Sequence, residues 1–138
     1  MSEMLEKARN YEAGKLAGTD PATRPLFHIA APAGWINDPN GFSVYDGRIH
    51  LFYQYNPYDR EWGPMHWGHS VSTDMIHWEQ LPAALAPDQE YDKIGCFSGS
   101  AIEADGKHVL VYTGVTKVKM EDQSEQERQN QCIAFGDG

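Results

Sequence analysis

The sequence predicts an all-β fold of repeated four-stranded antiparallel units, the signature of β-propeller blades, behind one short N-terminal helix. Three observations lead there. From about residue 21 onward, short runs rich in β-branched and aromatic residues alternate with turn residues. Two of the turns are Asp-Gly pairs, Asp46-Gly47 and Asp105-Gly106, each between two such runs and therefore a strong hairpin signal. A shift of 59 residues lays Asp46-Gly47 on Asp105-Gly106, Leu51 on Leu110 and Tyr53 on Tyr112, so the two hairpins resemble each other.

Residues 2 to about 16 predict the helix. Ser2 can cap it, Glu3 precedes Lys7 by one turn, and Met4, Leu5, Ala8, Tyr11 and Leu16 give a ragged apolar stripe. Gly14 and then Gly18-Thr19-Asp20-Pro21 end it. The strand runs follow at Leu26–Ile29, Gly41–Tyr45, Arg48–Tyr55, Trp67–Ser72, His77–Leu81, Ser98–Ala104, His108–Thr113 and Gln131–Phe135. Loops are expected at 86–96 and at Lys117–Asn130, the latter so polar that it reads as a solvated hairpin loop or a short surface helix. A shift of 63 residues lays Ser72-Thr73-Asp74 on Phe135-Gly136-Asp137. The first unit continues past Asp74 into a fourth strand, whereas the second stops one residue after Asp137. The expected organisation is a helical segment over 1–20 and a partial β-propeller over 21–138, comprising blade 1 and most of blade 2. Such a piece cannot close a ring, and self-association through its open sheet edge is expected.

Charge and composition narrow the partners. Twenty Asp and Glu against eleven Lys and Arg give a net charge of −9, which repels a nucleic-acid backbone or an anionic membrane surface. No apolar run approaches the roughly 20 residues of a membrane span. The start, Met-Ser-Glu-Met-Leu-Glu-Lys, has neither the basic nor the apolar region of a secretory signal, so a soluble, cytoplasmic protein is expected. Cys96 and Cys132 are then expected to be reduced. His66 and His69 form an H-x-x-H pair, but residues three apart on a strand point to opposite faces, which argues against a shared metal.

The densest cluster of chemistry is Gly34-Trp35-Ile36-Asn37-Asp38-Pro39-Asn40-Gly41. Pro39 fixes its own φ and biases Asp38 toward extended backbone, and Asn40-Gly41 tolerates positive φ, so the string reads as a turn. Asp38 is then either a turn-capping group or a carboxylate held beside aromatics, the setting in which sugars are bound and attacked.

W-I-N-D-P-N-G, followed in order by L-F-Y-Q-Y-N-P (Leu51 to Pro57), M-H-W-G-H (Met65 to His69), S-T-D-M-I-H-W (Ser72 to Trp78), F-S-G-S-A (Phe97 to Ala101) and Q-C-I-A (Gln131 to Ala134), resembles glycoside hydrolase family 32. These are the β-fructosidases, among them invertase, sucrose-6-phosphate hydrolase, inulinase and levanase. The resemblance runs from about Arg24 to the last residue. It implies a five-bladed β-propeller with an axial pocket, a retaining mechanism, and Asp38 as the catalytic nucleophile. By the same resemblance Trp35, Ile36 and Asn37 flank the nucleophile at the substrate. Gln54 matches a hydroxyl-binding amide, Trp62 an aromatic wall, and Phe97 with Ser98 a further pocket edge. On the residues alone, Trp62 and Phe97 read equally as core aromatics, Ser98 as a strand-start hydroxyl and Gln54 as a strand-edge polar group.

Retaining hydrolysis also needs a carboxylic acid to protonate the leaving oxygen. The family carries it in E-C-P and a supporting Asp in R-D-P, and neither string occurs here. Glu79, Glu90, Asp92 and Glu103 lie in other contexts. The expectation is therefore an N-terminal portion of a β-fructosidase, inactive by itself, acting when whole on sucrose, sucrose 6-phosphate or short fructan. The alternative is a non-catalytic carbohydrate-binding or assembly fragment. No metal or organic cofactor is expected, and Arg24, Arg48 and Arg60 are the nearby cations for a sugar phosphate.

Overall fold

The structure, a computed structural model, describes residues 1–136. Helix α1 spans Glu3–Ala17. Ser2 Oγ accepts from the Leu5 amide at 3.1 Å, Glu3 and Glu6 lie in the first turn and Lys15 in the last, so cap and charges all suit the helix dipole. Among the described residues, strands β1 (Trp35–Tyr45), β2 (Arg48–Asn56), β3 (His66–Ser72) and β4 (Glu79–Leu85) form one antiparallel meander. Strands β5 (Gly95–Ala104), β6 (Lys107–Lys119) and β7 (Glu125–Phe135) form a second.

Both Asp-Gly pairs make the expected hairpins. Asp46 and Gly47 have φ of 47° and 69°, and Asp105 and Gly106 have 51° and 71°, the two successive positive values that a two-residue hairpin turn requires. The internal similarity places the two hairpins at equivalent positions in their sheets. The proposed match of Asp74 with Asp137 lies outside the described residues.

Four expectations are corrected. Leu26–Ile29 forms no strand; the Arg24 guanidinium holds this stretch as a loop by donating to the Ala30 and Ala31 carbonyls. Lys117–Asn130 is neither loop nor helix: β6 runs to Lys119 and β7 starts at Glu125, with only Met120–Ser124 turning between them. Opposite charges explain this, since Lys119 faces Glu125 and Lys117 faces Glu127 across the ribbon, with Lys117 Nζ 3.6 Å from Glu125 Oε2. The Asn37–Gly41 string is not a turn but part of β1, interrupted by register shifts between Ile36 and Pro39 and between Asn40 and Ser43. The helix, finally, does not dock by the whole predicted stripe. Met4 is exposed, whereas Ala8 and the charged Glu12 are buried.

The reason is a polar clamp. Glu12 Oε1 accepts from the Ala83 amide at 2.7 Å, and Arg9 Nε donates to the Ala83 carbonyl at 2.9 Å. Ala83 lies on β4, the edge strand of the first sheet, so α1 satisfies backbone groups that a fifth strand would otherwise take. Beneath the clamp, Tyr53, Tyr55 and Ala83 pack with Leu5, Ile29 and Ala31. The alternate β2 face sends Phe52 into a cluster with Trp67, Cys96, Leu110, Tyr112 and Cys132, which joins the two sheets. Strand β2 is thus buried on both faces. Both cysteines are buried and unbridged.

Burial pushes the Glu12 carboxyl above its ordinary range. Glu12→Gln keeps an acceptor for the Ala83 amide without the buried charge and is expected to stay within about 1 kcal/mol of the wild type at pH 7. Glu12→Ala leaves that amide unpaired and is expected to lose about 1–3 kcal/mol, read by urea unfolding.

Candidate active site

Asp38 stands on an irregularity in β1, and Ser98 stands on one in β5. The register of β1 on β2 passes from Ile36 to Pro39 and leaves Asn37 and Asp38 without partners. That of β5 on β6 passes from Phe97 to Gly99 and leaves out Ser98. Bulges re-aim side chains in this way. The two bulged stretches face each other across the sheets, and Ser98 Oγ donates to Asp38 Oδ2 at 3.1 Å. Gly99 is required here, because a Cβ on it would come within 2.0 Å of the Val111 carbonyl oxygen.

This contact is one of four from consecutive residues of β5 to side chains of the first sheet. The Cys96 carbonyl accepts from Gln54 Nε2 at 3.0 Å, and the Phe97 carbonyl from Trp67 Nε1 at 3.2 Å. The Gly99 amide donates to Asn40 Oδ1 at 3.3 Å. The Cys96 amide adds a backbone bond to the Met65 carbonyl at 2.8 Å. Trp67 is fully buried between Phe52 and Tyr112, with ring centroids at 5.6 and 6.2 Å.

Behind β5, Asp92 is fully buried. Its Oδ1 accepts from the Gln89 amide at 2.8 Å and its Oδ2 from the Tyr112 hydroxyl at 2.8 Å. Desolvation raises the Asp92 carboxyl above its ordinary range. Asp92 fixes the loop that delivers Cys96–Gly99 to the seam.

The structure brings together Asp38, Ser98, Phe97 and Trp62. The Trp62 ring stands edge-on to Phe97 at 6.1 Å and 90° and is 58% exposed, while Phe97 is half-buried. Asp38 and Ile36 are exposed. Gln54 is buried, with its amide nitrogen committed to the Cys96 carbonyl. Trp35 is half-buried and pairs with Asn56, and Asn37 is exposed. Among the described residues, no hydrogen bond or ring contact joins either of them to the group. Trp67 and Asn40 are contributors that the sequence left without a role. Both lie inside quoted motifs, but their partners on β5 are visible only once the sheets are placed.

Two of the three candidate phosphate cations are engaged elsewhere: Arg24 with the Ala30 and Ala31 carbonyls, Arg48 at 3.8 Å from Glu79. Arg60 lines a cavity of about 360 Å³ with Tyr58 and Lys15. His66 and His69 have separate partners, the Pro64 carbonyl and His50. Among the described residues, no three His, Cys, Asp or Glu are arranged to hold a metal ion, and no helix is long and apolar enough to cross a membrane.

Residues 28–138 match the model of the glycosyl hydrolases family 32 N-terminal domain. A sucrose-6-phosphate hydrolase of Escherichia coli is 52% identical over 110 residues, 80% of this chain and 23% of that enzyme. A levanase of Bacillus subtilis is 43% identical over 134 residues, 96% of this chain and 19% of that enzyme. A variant of a Bombyx mori GH32 β-fructofuranosidase, solved in complex with sucrose, superposes with a TM-score of 0.82 at 44% identity, covering 99% of this chain and 28% of that one. The chain thus spans about a fifth to a quarter of the length of these relatives.

The seam predicts a contrast between two neighbours. Gln54→Ala leaves the Cys96 carbonyl without its side-chain donor and is expected to cost about 1–3 kcal/mol in urea unfolding. Ser98→Ala removes an exposed contact and is expected to stay within about 0.5 kcal/mol.

Proposed function

The chain belongs to glycoside hydrolase family 32, and from that premise we propose that it is the nucleophile-bearing portion of a retaining β-fructofuranosidase acting on sucrose or sucrose 6-phosphate. The observation that carries the reading is the pairing of Asp38 with Ser98 across two facing bulges, beside the Trp62–Phe97 wall. The sucrose complex of the Bombyx mori relative supports the substrate class.

Ser98 occupies Oδ2 and orients the carboxylate, leaving Oδ1 as the attacking oxygen. Attack at the anomeric carbon of the fructofuranosyl unit forms an Asp38–fructosyl ester and breaks the glycosidic C–O bond. The leaving oxygen takes its proton from a carboxylic acid; water then attacks the same anomeric carbon, losing its proton to that group, and the Asp38–fructosyl bond breaks to release fructose and the free Asp38 carboxylate. That acid, in the family's E-C-P string, does not occur in this sequence. Trp62 and Phe97 present ring edges and faces to the sugar. Trp35, Ile36 and Asn37 line the approach, and Gln54 supports the pocket through its bond to Cys96 while its amide oxygen serves a sugar hydroxyl.

The two sheets are read as the first blade, complete, and most of the second blade of a five-bladed propeller, with residues 1–20 a helical segment apart from it. The exposed Ile102, Ile133 and Phe135 of the second sheet are then the face that meets the next blade or, in the chain alone, a second copy.

The test is hydrolysis of sucrose and sucrose 6-phosphate by a protein extended to the length of its relatives. Asp38→Asn is expected to reduce kcat on the order of 10³-fold or more, and equal rates would overturn the assignment. The 138-residue chain by itself is expected to show no turnover. Saturable sucrose binding without turnover by the extended protein would favour a carbohydrate-binding role instead.

A further inference from the structure

Three imidazoles from three strands and both sheets meet at the seam, away from Asp38: His50 on β2, His69 on β3 and His108 on β6. His50 Nδ1 lies 2.9 Å from His69 Nε2, and His50 Nε2 lies 3.2 Å from the Tyr45 carbonyl. His108 Nε2 lies 2.9 Å from Ser43 Oγ, and its ring stands edge-on to His50 at 4.7 Å. His69 stacks on Phe52 at 4.1 Å. The three line a cavity of about 460 Å³ between the sheets.

The partners settle where each proton sits. A carbonyl only accepts, so His50 Nε2 carries the proton and its Nδ1 accepts from His69 Nε2–H. Ser43 donates its hydroxyl proton to the Gly41 carbonyl at 3.0 Å and so accepts from His108 Nε2–H. These partners hold His50 neutral in one tautomer and place a proton on Nε2 of His69 and of His108. A proton on His50 Nδ1 would set two N–H groups against each other at the His69 contact.

The surroundings oppose such a proton. Arg9 from α1 and Arg48 from β2 are cationic neighbours, and Lys107 lies beside His108 on β6. Asp46 in the β1–β2 turn is the facing carboxylate, Glu79 being engaged by Arg48, and Tyr45 stacks on His108. From β4 and β7 the lining is apolar: Leu81, Leu85, Ala134 and Phe135 among others. Desolvation first, then the neighbouring imidazoles and after them the cations, lower His69 to about 3; desolvation and His50 lower His108 to about 4; and desolvation lowers His50.

We propose that this histidine trio is an acid-sensitive latch: it holds only while its rings are neutral, because second protons on His50 and His69 of the first sheet and on His108 of the second repel one another, loosening the two sheets and with them the β5 seam that positions Asp38. This does not depend on the sugar chemistry.

The test is urea unfolding of the chain between pH 7 and pH 5. The folded-state values lie below the ordinary 6.5, so the trio's contribution is complete above pH 6.5 and is lost as the pH falls toward 4. Each imidazole kept neutral makes the unfolding constant about tenfold larger per pH unit within that window. Wild type is therefore expected to change by about 100-fold between pH 6 and pH 5 through His69 and His108. His69→Gln and His108→Gln are each expected to lose one factor of about ten, measured against their own values at pH 6. Glu12 and Asp92, both raised, give a slope of opposite sign and cannot imitate this. Equal slopes in wild type and both variants would overturn the latch. If a variant does not fold, imidazole ¹⁵N shifts of the wild type decide, and midpoints at or above 6.5 for His69 and His108 would overturn it.

Discussion

Four consecutive residues of β5, Cys96 to Gly99, hold the two sheets together, each through a hydrogen bond to a different side chain of the first sheet: Gln54, Trp67, Asp38 and Asn40. Any one such bond is worth only about 1 kcal/mol net, but a buried carbonyl left without its donor costs about 1–3 kcal/mol. The buried bonds at Cys96 and Phe97 therefore define the alignment of the sheets, and the exposed bond at Ser98 uses that alignment to orient Asp38. Shift β5 by one residue and these partners are lost, because the Cys96, Phe97 and Gly99 backbone groups move away from their donors and acceptor and the Ser98 side chain turns to the other face.

The remaining structure serves this seam from both sides. Phe52, Trp67 and Tyr112 supply apolar surface behind it, and Asp92 anchors the loop that leads into it. On the far face of the first sheet, the Arg9–Glu12 clamp on Ala83 keeps the edge strand in place, and Tyr53 and Tyr55 fill the space below the helix. Desolvation raises both phenols, Tyr53 to about 12, so neither ionises under ordinary conditions. The seam thus ends at the Asp38 carboxylate and runs into a titratable cluster at His50, His69 and His108.

What the sequence made legible follows from range. The Asp-Gly hairpins, the Ser2 cap and the Gly18 stop are local signals, and they appear where expected. The Lys117–Asn130 ribbon was illegible because its polar residues are stabilised by cross-strand charge pairs, which composition does not reveal. The bulge at Asn37–Asp38 was illegible because a Pro-Asn-Gly string signals a turn, and only the partner strand shows that the chain carries on. Nothing local marks Glu12 for burial, because its partner, the Ala83 amide, belongs to β4. Asp38, Phe97 and Ser98 lie inside the ordered motifs, and Trp62 lies between two of them. The role of Trp67 was not legible, because it is to donate to the backbone of another sheet.

The claim that the seam makes the two sheets one unit is tested most directly by native-state hydrogen exchange. The Cys96 amide is bonded to Met65, the residue before β3, and the Gly99 amide to Asn40 of β1. They are predicted to open with the same free energy as the core amides of β2 and β6, at the level of global unfolding. Exchange of these two amides by a separate, much easier opening, with β2 and β6 still protected, would contradict the account.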